Sequence, residues 1–358
     1  MPAYEALLCD GRTDDVLGAL PLTALSFREE LNGPGAATME IPLDTDAIEA
    51  LTPLQHSVFV LRDGVPVWGG VLWVTGLSVG SNSAKLSCSG FWSLVRRRRI
   101  SSTLTYTDTD QVLVAKDIID TLQAEAGGNM LIDTSGVVST GVDISQTYPG
   151  HELQNAGDAI QTIATRHNGF DFAVSVANEN GHLVRRLATT FPTTGRATDI
   201  ILEDGVNIEA LDVSVDGTGM LSTAHIRGKG SGASALLYSG TSPDMVGVYP
   251  KTEGLVTLSS VDDLGRLQEH SDLLLTNGAS PIVMPTVVVA GQQPRHAQPN
   301  VSPTVGSFAA GDLLELRSQY GLLDISDQFR ITSWACSVDK TGSETLTLNL
   351  APKEAFNV

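Results

Sequence analysis

The sequence predicts a mainly β protein with α+β insertions, organised as two β-barrels plus two smaller α+β domains. Three observations support this prediction: apolar residues alternate in short segments near both ends, turn signals separate these segments, and helical spacing is confined to the interior. The chain has 358 residues, more than one ordinary core accommodates, which favours two to four domains. Its composition, 42% hydrophobic and 18% charged, is typical of folded domains.

Residues 1–100 are predicted to form the first β-barrel. Within 35–43, alternate positions carry the apolar residues that a strand would place on one face, namely Ala37, Met39, Ile41 and Leu43. Asp63-Gly64 is a strong tight-turn signal between two strands, and polar residues at 80–83 precede an alternating strand over 84–92. Short antiparallel strands joined by such turns favour a small barrel or a sandwich.

One strand in this region, LRDGVPVWGGVLWVT, places Gly69 and Gly70 between Trp68 and Trp73. The glycine pair marks either a close approach to a ligand or a corner where the strand bends, and we favour the corner. A bulge at the glycines would bring both rings into one core, whereas a regular strand would turn one ring outward, towards a neighbouring subunit. The predicted corner or interface residues are Trp68, Gly69, Gly70, Trp73 and Trp334.

Residues 101–197 are predicted to form an α+β domain. Apolar residues recur at helical spacing in two segments, and Asn180-Gly181 joins two strand-like segments. Thr109 or Asp110 is the expected cap of the first helix, because a side-chain oxygen there accepts from free backbone N–H groups. The predicted elements are a helix over 108–128, a helix over 152–167 and a hairpin over 170–189.

The second β-barrel is predicted from 198–240 and 305–358, interrupted by a helix-containing insertion domain over 241–304. The helix of the insertion spans 261–276 and has two candidate caps, Ser259 and Ser260. Near the C-terminus, one face of 328–339 carries Arg330, Thr332, Trp334, Cys336 and Val338. With the strand that follows, this segment repeats the order of elements in 57–92, which indicates two units of similar architecture.

The net charge of −19 comes from 22 basic and 41 acidic residues. This balance disfavours nucleic-acid binding, which needs clustered Lys and Arg to neutralise phosphates. The basic run Arg96, Arg97, Arg98 and Arg99 is interpreted as a solvated linker between the first barrel and the α+β domain. Pairing with acidic residues of an adjacent subunit and contact with DNA are the alternatives.

We find no catalytic, metal or cofactor motif with the required spacing. His151-Glu152 begins like the HExxH zinc motif, but the fifth position is Asn155. The glycine-rich segment 228–232 fits no phosphate loop or nucleophile elbow and is interpreted as a hairpin tip. Asp-Thr-Asp at 44–46 and 108–110 lacks the spacing of a calcium loop, so turn and capping roles are expected.

The cysteines, Cys9, Cys88 and Cys336, are far apart in strand-like segments and are predicted to be reduced core thiols. The N-terminus shows no secretory signal pattern. No apolar stretch approaches the ~20 residues that span a bilayer. We therefore expect a soluble protein that does not insert into a membrane.

Three segments resemble the tail-tip or baseplate hub proteins of tailed bacteriophages, a family similar to the hubs of phage-derived injection systems. They are LTALSFREELNGPGAATMEIPL, VFVLRDGVPVWGGVLWVTGLS and FRITSWACSVDKTGSETLTLNLAP. The resemblance extends by pattern over nearly the whole chain. It implies two barrels similar to the tail-tube protein, and a homotrimer that forms a pseudo-sixfold ring.

The resemblance further implies a non-enzymatic structural role at the virion tail tip, after assembly in the bacterial host cytoplasm. The implied partners are a tail-tube or distal tail protein and a central spike or tail fibre, with DNA passing through the channel without specific binding. An acidic subunit suits such a conduit, because like charge keeps DNA from adhering to its wall. The alternative is a carboxylate-dependent cell-wall hydrolase with an acid pair in the α+β domain, although 351–358 leave no room for a separate hydrolase domain.

Overall fold

The computed structural model describes residues 2–43, 51–80, 82–166, 168–193, 195–258, 261–289, 303–320 and 323–353. The strands are β1 (Tyr4–Asp10), β2 (Val16–Leu20), β3 (Ala24–Glu30), β4 (Ala36–Pro42), β5 (His56–Arg62), β6 (Val65–Ser78), β7 (Ser83–Gly90), β8 (Leu104–Asp110), β9 (Ile132–Asp133), β10 (Asp143–Tyr148), β11 (Asp171–Glu179), β12 (His182–Thr190), β13 (Ala197–Glu203), β14 (Ile208–Asp216), β15 (Thr223–Arg227), β16 (Leu237–Thr241), β17 (Glu253–Thr257), β18 (Ile282–Val289), β19 (Leu313–Tyr320), β20 (Leu323–Val338) and β21 (Glu344–Pro352). The α-helices are α1 (Trp92–Val95), α2 (Gln111–Ala124), α3 (Ala156–Ala164) and α4 (Leu264–Asn277). The predicted fold class, mainly β with α+β insertions, is confirmed.

The chain divides into two compact units. The first comprises Met1–Leu211 and Thr286–Leu350, and the second comprises Asp212–Pro285 and Ala351–Val358. The chain passes from the first unit to the second along β14 and returns along β18. The finer division into four domains stays a prediction. No helix of the described ranges is long and apolar enough to cross a membrane.

One large sheet dominates the first unit. Its strands follow the order β18-β21-β20-β3-β4-β7-β6-β5-β1-β2, and β19 pairs with both β20 and β13. The C-terminal strands join the N-terminal ones directly, because β20 pairs with β3 from Ser333↔Glu30 to Val338↔Leu25. The strands that the sequence assigns to two barrels therefore share a sheet.

The predicted alternation of apolar residues accounts for the core of this sheet. Ala37, Met39 and Ile41 of β4 are buried together with Trp334 and Cys336 of β20. Leu346, Leu348 and Leu350 of β21 are buried in the same cluster. Residues two apart on a strand share a face, so each strand contributes every second side chain to this core.

The predicted α+β domain has its own core between helices and a hairpin. Helix α2 begins at the predicted Asp110, whose carboxylate accepts from the backbone N–H groups of Val112 at 3.0 Å and Leu113 at 3.4 Å. Helix α3 begins later than predicted, because Leu153 adopts a φ of 47° and Asn155 becomes the cap. His167, at the predicted end of that helix, lies outside the described residues.

The predicted hairpin of this domain is confirmed. Strands β11 and β12 pair from Asp171↔Thr190 to Glu179↔His182. Asn180 and Gly181 both have positive φ angles, 53° and 88°. This is the conformation that tight hairpin turns require, and asparagine and glycine adopt it at little cost.

The second unit contains a three-stranded sheet in the order β16-β15-β17, with α4 beside it. Helix α4 starts at Leu264 and is capped by Asp263, which accepts from the backbone N–H of Arg266 at 2.9 Å. The predicted caps, Ser259 and Ser260, lie outside the described residues. Residues 228–232 lie in the turn between β15 and β16, as predicted. These two strands pair with each other and with β17.

Candidate functional site

The Gly-Gly segment of β6 is regularly paired, so the bulge proposed at Gly69 and Gly70 is not there. Gly69 pairs with Phe59, and Gly70 pairs with both Val58 and Gly90. The register shifts flank the pair instead: one falls at Val67 against β5, the other at Trp73 against β7. A bulge adds one unpaired residue and increases the local twist, so the irregularities of β6 lie on either side of the glycines and not at them.

Gly70 lies beneath the ring of Trp68, which belongs to the main core. A Cβ on Gly70 would be 2.5 Å from Trp68 Cη2 and 2.4 Å from the carbonyl oxygen of Ser89. Both residues face the same side of the strand because they are two apart. The Trp68 indole N–H donates to the carbonyl oxygen of Arg28 at 3.1 Å. The missing side chain thus gives the indole room to pack flat against the strand.

Gly69 faces the opposite side, where the hairpin of the α+β domain packs. A Cβ here would be 2.7 Å from Val176 Cγ1 and 2.8 Å from Phe91 Cε2. Val176 lies on β11, so Gly69 is a position at which that strand packs closely against the main sheet. The glycine pair therefore allows close packing on both faces of β6. The groups that approach the backbone closely at these glycines are side chains of the same chain and not a ligand.

Trp73 lies on the same side as Gly69 and packs in a smaller apolar cluster with Phe59 and Phe91. Its indole N–H donates to the Ser93 hydroxyl at 3.1 Å, and the Arg97 guanidinium lies 5.1 Å from its ring centre. The two tryptophans therefore face opposite sides. Each ring is held by contacts within the chain.

The basic run following α1 joins the sheet to the α+β domain through specific contacts. Arg98 donates to the carbonyl oxygen of Leu122 in the last turn of α2 at 2.9 Å and to that of Gly128 beyond the helix at 2.8 Å. It also pairs with Glu125 at 2.5 Å. Arg96 pairs with Asp158 at 3.7 Å. Arg99 is exposed and forms an isolated β-bridge with Asn155.

Trp334 is buried and holds an acidic side chain at the edge of the core. Its ring packs edge-on against Phe27 and Phe308, with centres 5.7 and 5.5 Å away. Its indole N–H donates to Glu29 Oε2 at 2.8 Å. Burial raises the pKa of Glu29 to about 7, against the lowering effect of the Trp334 hydrogen bond, and Asp312 raises it further.

Two buried ion pairs connect the α+β domain to the sheet, and the sequence analysis missed both. Arg185 of β12 pairs with Asp14 at 2.5 Å, with side chains 0% and 5% exposed. The Arg185 guanidinium also lies 3.9 Å from the ring centre of Phe91. Asp14 accepts a further hydrogen bond from Ser57 at 2.9 Å. The contacts join β12, the turn after β1, and β5.

The second pair joins Arg330 of β20 to Asp171 at the start of β11. Asn32 donates to Asp171 at 3.2 Å and accepts from the Phe172 backbone N–H at 2.7 Å. Burial raises the pKa of Asp171, and the Arg330 charge opposes this rise. One sequence signal was present: the period of two placed Arg330 on the same face as Trp334, which is the buried face.

The second unit contains one arrangement of catalytic residue types that was also missed. His225 Nδ1 lies 2.8 Å from the Ser239 hydroxyl, and its Nε2 lies 3.2 Å from Glu253. These residues are neighbours across β16, β15 and β17, on the partly exposed face of the sheet. Lys251 also pairs with Glu253 at 2.6 Å. Glu253 is thus shared between His225 and Lys251. Ordinary pairing of side chains on neighbouring strands accounts for the arrangement of His225, Ser239 and Glu253.

The described residues contain no group of three or more His, Cys, Asp or Glu side chains that could hold a metal ion. Of the two Asp-Thr-Asp segments, 108–110 supplies the cap of α2, and 44–46 lies outside the described residues. The cysteines Cys9, Cys88 and Cys336 are free and buried, as predicted. Burial raises the pKa of Cys9 and Cys88 to about 12 and that of Cys336 to about 11.

No protein-family model and no curated protein matches the sequence. Solved structures do match. The 43 kDa tail protein of prophage MuSo2 from Shewanella oneidensis aligns over 99% of this chain and 99% of its own, at a TM-score of 0.65 and 13% identity. A tail protein from Neisseria meningitidis MC58 aligns over 99% of this chain and 98% of its own, at a TM-score of 0.63 and 15% identity.

A third structure links this fold to secretion machinery. The E. coli c3393 protein, a component of the type VI secretion system with structural similarity to the T4 bacteriophage tail proteins gp27 and gp5, aligns over 93% of this chain and 74% of its own. The TM-score is 0.50 and the identity 10%. These likenesses span both compact units. The chain therefore has the fold of phage tail proteins, which confirms the predicted resemblance at the level of the fold.

Proposed function

We propose that this chain is a structural component of a phage tail tip or baseplate, and that it acts there as the hub. The observation that carries the proposal is the end-to-end match to two phage tail proteins, which covers 99% of this chain in each case. A match over the full length, both units included, is what a shared role in assembly requires. The polar clusters described above are paired within the chain, which favours a non-enzymatic role.

In the proposed assembly, three copies form a pseudo-sixfold ring around the channel through which DNA leaves the virion. A closed cyclic trimer needs self-compatible surfaces on each subunit, and two β regions of similar architecture per subunit would supply them. The net charge of −19 supports a conduit for DNA, because a wall of like charge does not bind the genome. The proposed neighbours are a tail-tube or distal tail protein on one side and a central spike or fibre on the other.

The hydrolase alternative has no support from the comparisons or from the polar groups of the described chain. The catalytic-type group His225, Ser239 and Glu253 shares its carboxylate with Lys251. The buried carboxylates Asp14 and Asp171 are each paired with an arginine. Both carboxylates are buried and bound to an arginine, so neither is free to contact a substrate.

Light scattering coupled to size exclusion tests the proposal. The expected mass is about three times the 37.8 kDa of one chain, with rings in negative-stain images. If the isolated chain is a monomer, the measurement is repeated with the tail-tube protein of the same virion, since a partner can shift the equilibrium. A chain that stays monomeric with its partner and clears peptidoglycan would contradict the proposal. Gold labelling of an epitope tag on intact virions tests the tail-tip location.

A further inference from the structure

A cavity of about 310 Å³ lies in the first unit, between β6, β11 and residues 303–309. Its walls are largely apolar and include Val67, Trp68, Phe91, Val176 and Phe308. The volume corresponds to roughly ten water molecules in the liquid, enough for one long side chain. Residues at its mouth are exposed, among them Val65 and Ala309. The cavity is therefore open to solvent.

The half-buried Glu29 is the acidic residue in the lining of this cavity, and it differs from three of the four buried carboxylates of the described chain, which pair with an arginine. Asp14 pairs with Arg185, Asp171 with Arg330, and Asp312 with Arg196. The donors to Glu29 within the described chain are neutral: the Trp334 indole N–H at 2.8 Å and the backbone of Ala310. No ion pair joins Glu29 to a described Lys, Arg or His.

A half-buried carboxylate without a cationic partner is partly desolvated, and a cation that enters the cavity offsets that cost. Trp68 and Phe308 also line the cavity, and aromatic rings of this kind attract ammonium and guanidinium groups. The apolar lining suits the aliphatic stem of such a side chain. A positive charge that attracts both a carboxylate and aromatic rings, on an aliphatic stem, is found in the side chains of lysine and arginine.

We propose that this cavity receives one lysine or arginine side chain from a partner protein, with Glu29 as its counter-ion. That the partner is a tail component rests on the function proposed above, whereas the cation site itself does not. The site adds a specific anchor at the junction of the main sheet with the α+β domain. Buried charged anchors of this kind are frequent hot spots of protein interfaces.

The experiment uses the two side-chain analogues, n-butylammonium and n-propylguanidinium, and the neutral 1-pentanol as a comparison. Binding is followed through the indole N–H signal of Trp334 in a ¹H–¹⁵N spectrum at pH 8, assigned with Trp334→Phe. Both cations are expected to shift this signal in a saturable way, with an affinity at least ten-fold higher than that of pentanol. Glu29→Gln is expected to lower the affinity for the cations at least ten-fold. The matched control is Glu30→Gln, the exposed neighbouring glutamate, which should leave it unchanged.

Equal binding of pentanol and the cations, or unchanged binding in Glu29→Gln, would overturn the proposal. Arg295 precedes the cavity wall at 303–309 in sequence and lies outside the described residues. Tighter binding of the cations after Arg295→Ala would also overturn the proposal, because an arginine of this chain would then compete for the cavity. These outcomes are independent of oligomeric state. A failed ring assay together with intact cation binding would remove only the tail function, and the reverse result would remove only the cation site.

Discussion

The ring of Trp68 lies against Gly70, two residues further along the same strand, so that a Cβ on Gly70 would come within 2.5 Å of Trp68 Cη2. The backbone carbonyl of Ser89 closes the other side at 2.4 Å. Neither neighbour can yield easily, because one is a buried indole and the other is backbone of a paired strand. This relationship explains why a strand interior tolerates glycine here.

Replacing Gly70 with alanine is expected to destabilise the protein by about 2–4 kcal/mol, since overpacking forces the indole or the strand to move. Gly76→Ala is the matched control on the same strand, where the nearest atom to a Cβ is the Lys85 carbonyl oxygen at 3.8 Å. Urea unfolding monitored by tryptophan fluorescence measures both. Equal stability of the two variants would contradict the packing account.

Breaking the Arg330–Asp171 pair is expected to cost about 3–5 kcal/mol, because Arg330→Met leaves the Asp171 carboxylate buried without its partner. Adding Asp171→Leu should recover part of this loss, since the lone charge is then removed. Arg317→Ala provides the control, because Arg317 pairs with Glu315 on the surface. Its effect should be much smaller in the same denaturation assay, because solvent screens an exposed pair.

Glu29 predicts a pH dependence of stability between about pH 4.5 and 7. Its pKa is about 7 in the folded chain and near the ordinary 4.5 when unfolded, so the folded state holds the extra proton in this window. Stability should therefore fall as pH rises through the window, by about 1–3 kcal/mol, and level off above pH 7. Glu29→Gln should flatten this component in unfolding curves recorded from pH 4.5 to 8. An unchanged slope would mean that Glu29 titrates normally.

Arg98→Ala is expected to destabilise the protein by about 1–3 kcal/mol, because the carbonyl groups of Leu122 and Gly128 lose a charged donor. Arg99→Ala, at the exposed end of the run, should change stability by less than about 0.5 kcal/mol. Thermal unfolding compares the two. Replacing all four arginines with serine and measuring mobility shifts of DNA tests the alternative role, and DNA binding that this change abolishes would support it.

The three cysteines should resist thiol reagents in the native protein at pH 8. Burial raises the pKa of each thiol to about 11 or 12, so the reactive thiolate is scarce and shielded. The denatured chain should release about three equivalents of coloured product from an aromatic disulfide reagent. Rapid native reaction of even one thiol would contradict the buried placement.

The sequence patterns correctly predicted those elements that are determined by residues close together in the chain. Asp110 caps α2 as expected, because capping involves only the next few residues. The Asn180-Gly181 turn joins β11 and β12 for the same reason. The start of α3 was predicted too early, since Leu153 adopts a left-handed conformation and the Gly150 N–H donates to the hydroxyl of Thr103, 47 residues earlier, which no helical period reveals.

The sequence by itself determined the mainly β class, the apolar face of each strand, the hairpin turns and the buried state of the cysteines, because alternation and turn chemistry act over a few residues. Only the tertiary structure decided that β20 joins β3, that Gly69 and Gly70 pack against Val176 and Trp68, and that Glu29 lines a cavity without an ion pair to a described Lys, Arg or His. These relationships join residues far apart in the chain. Their energies depend on burial and neighbouring charge, which exist only once the sheet and the α+β domain have packed together.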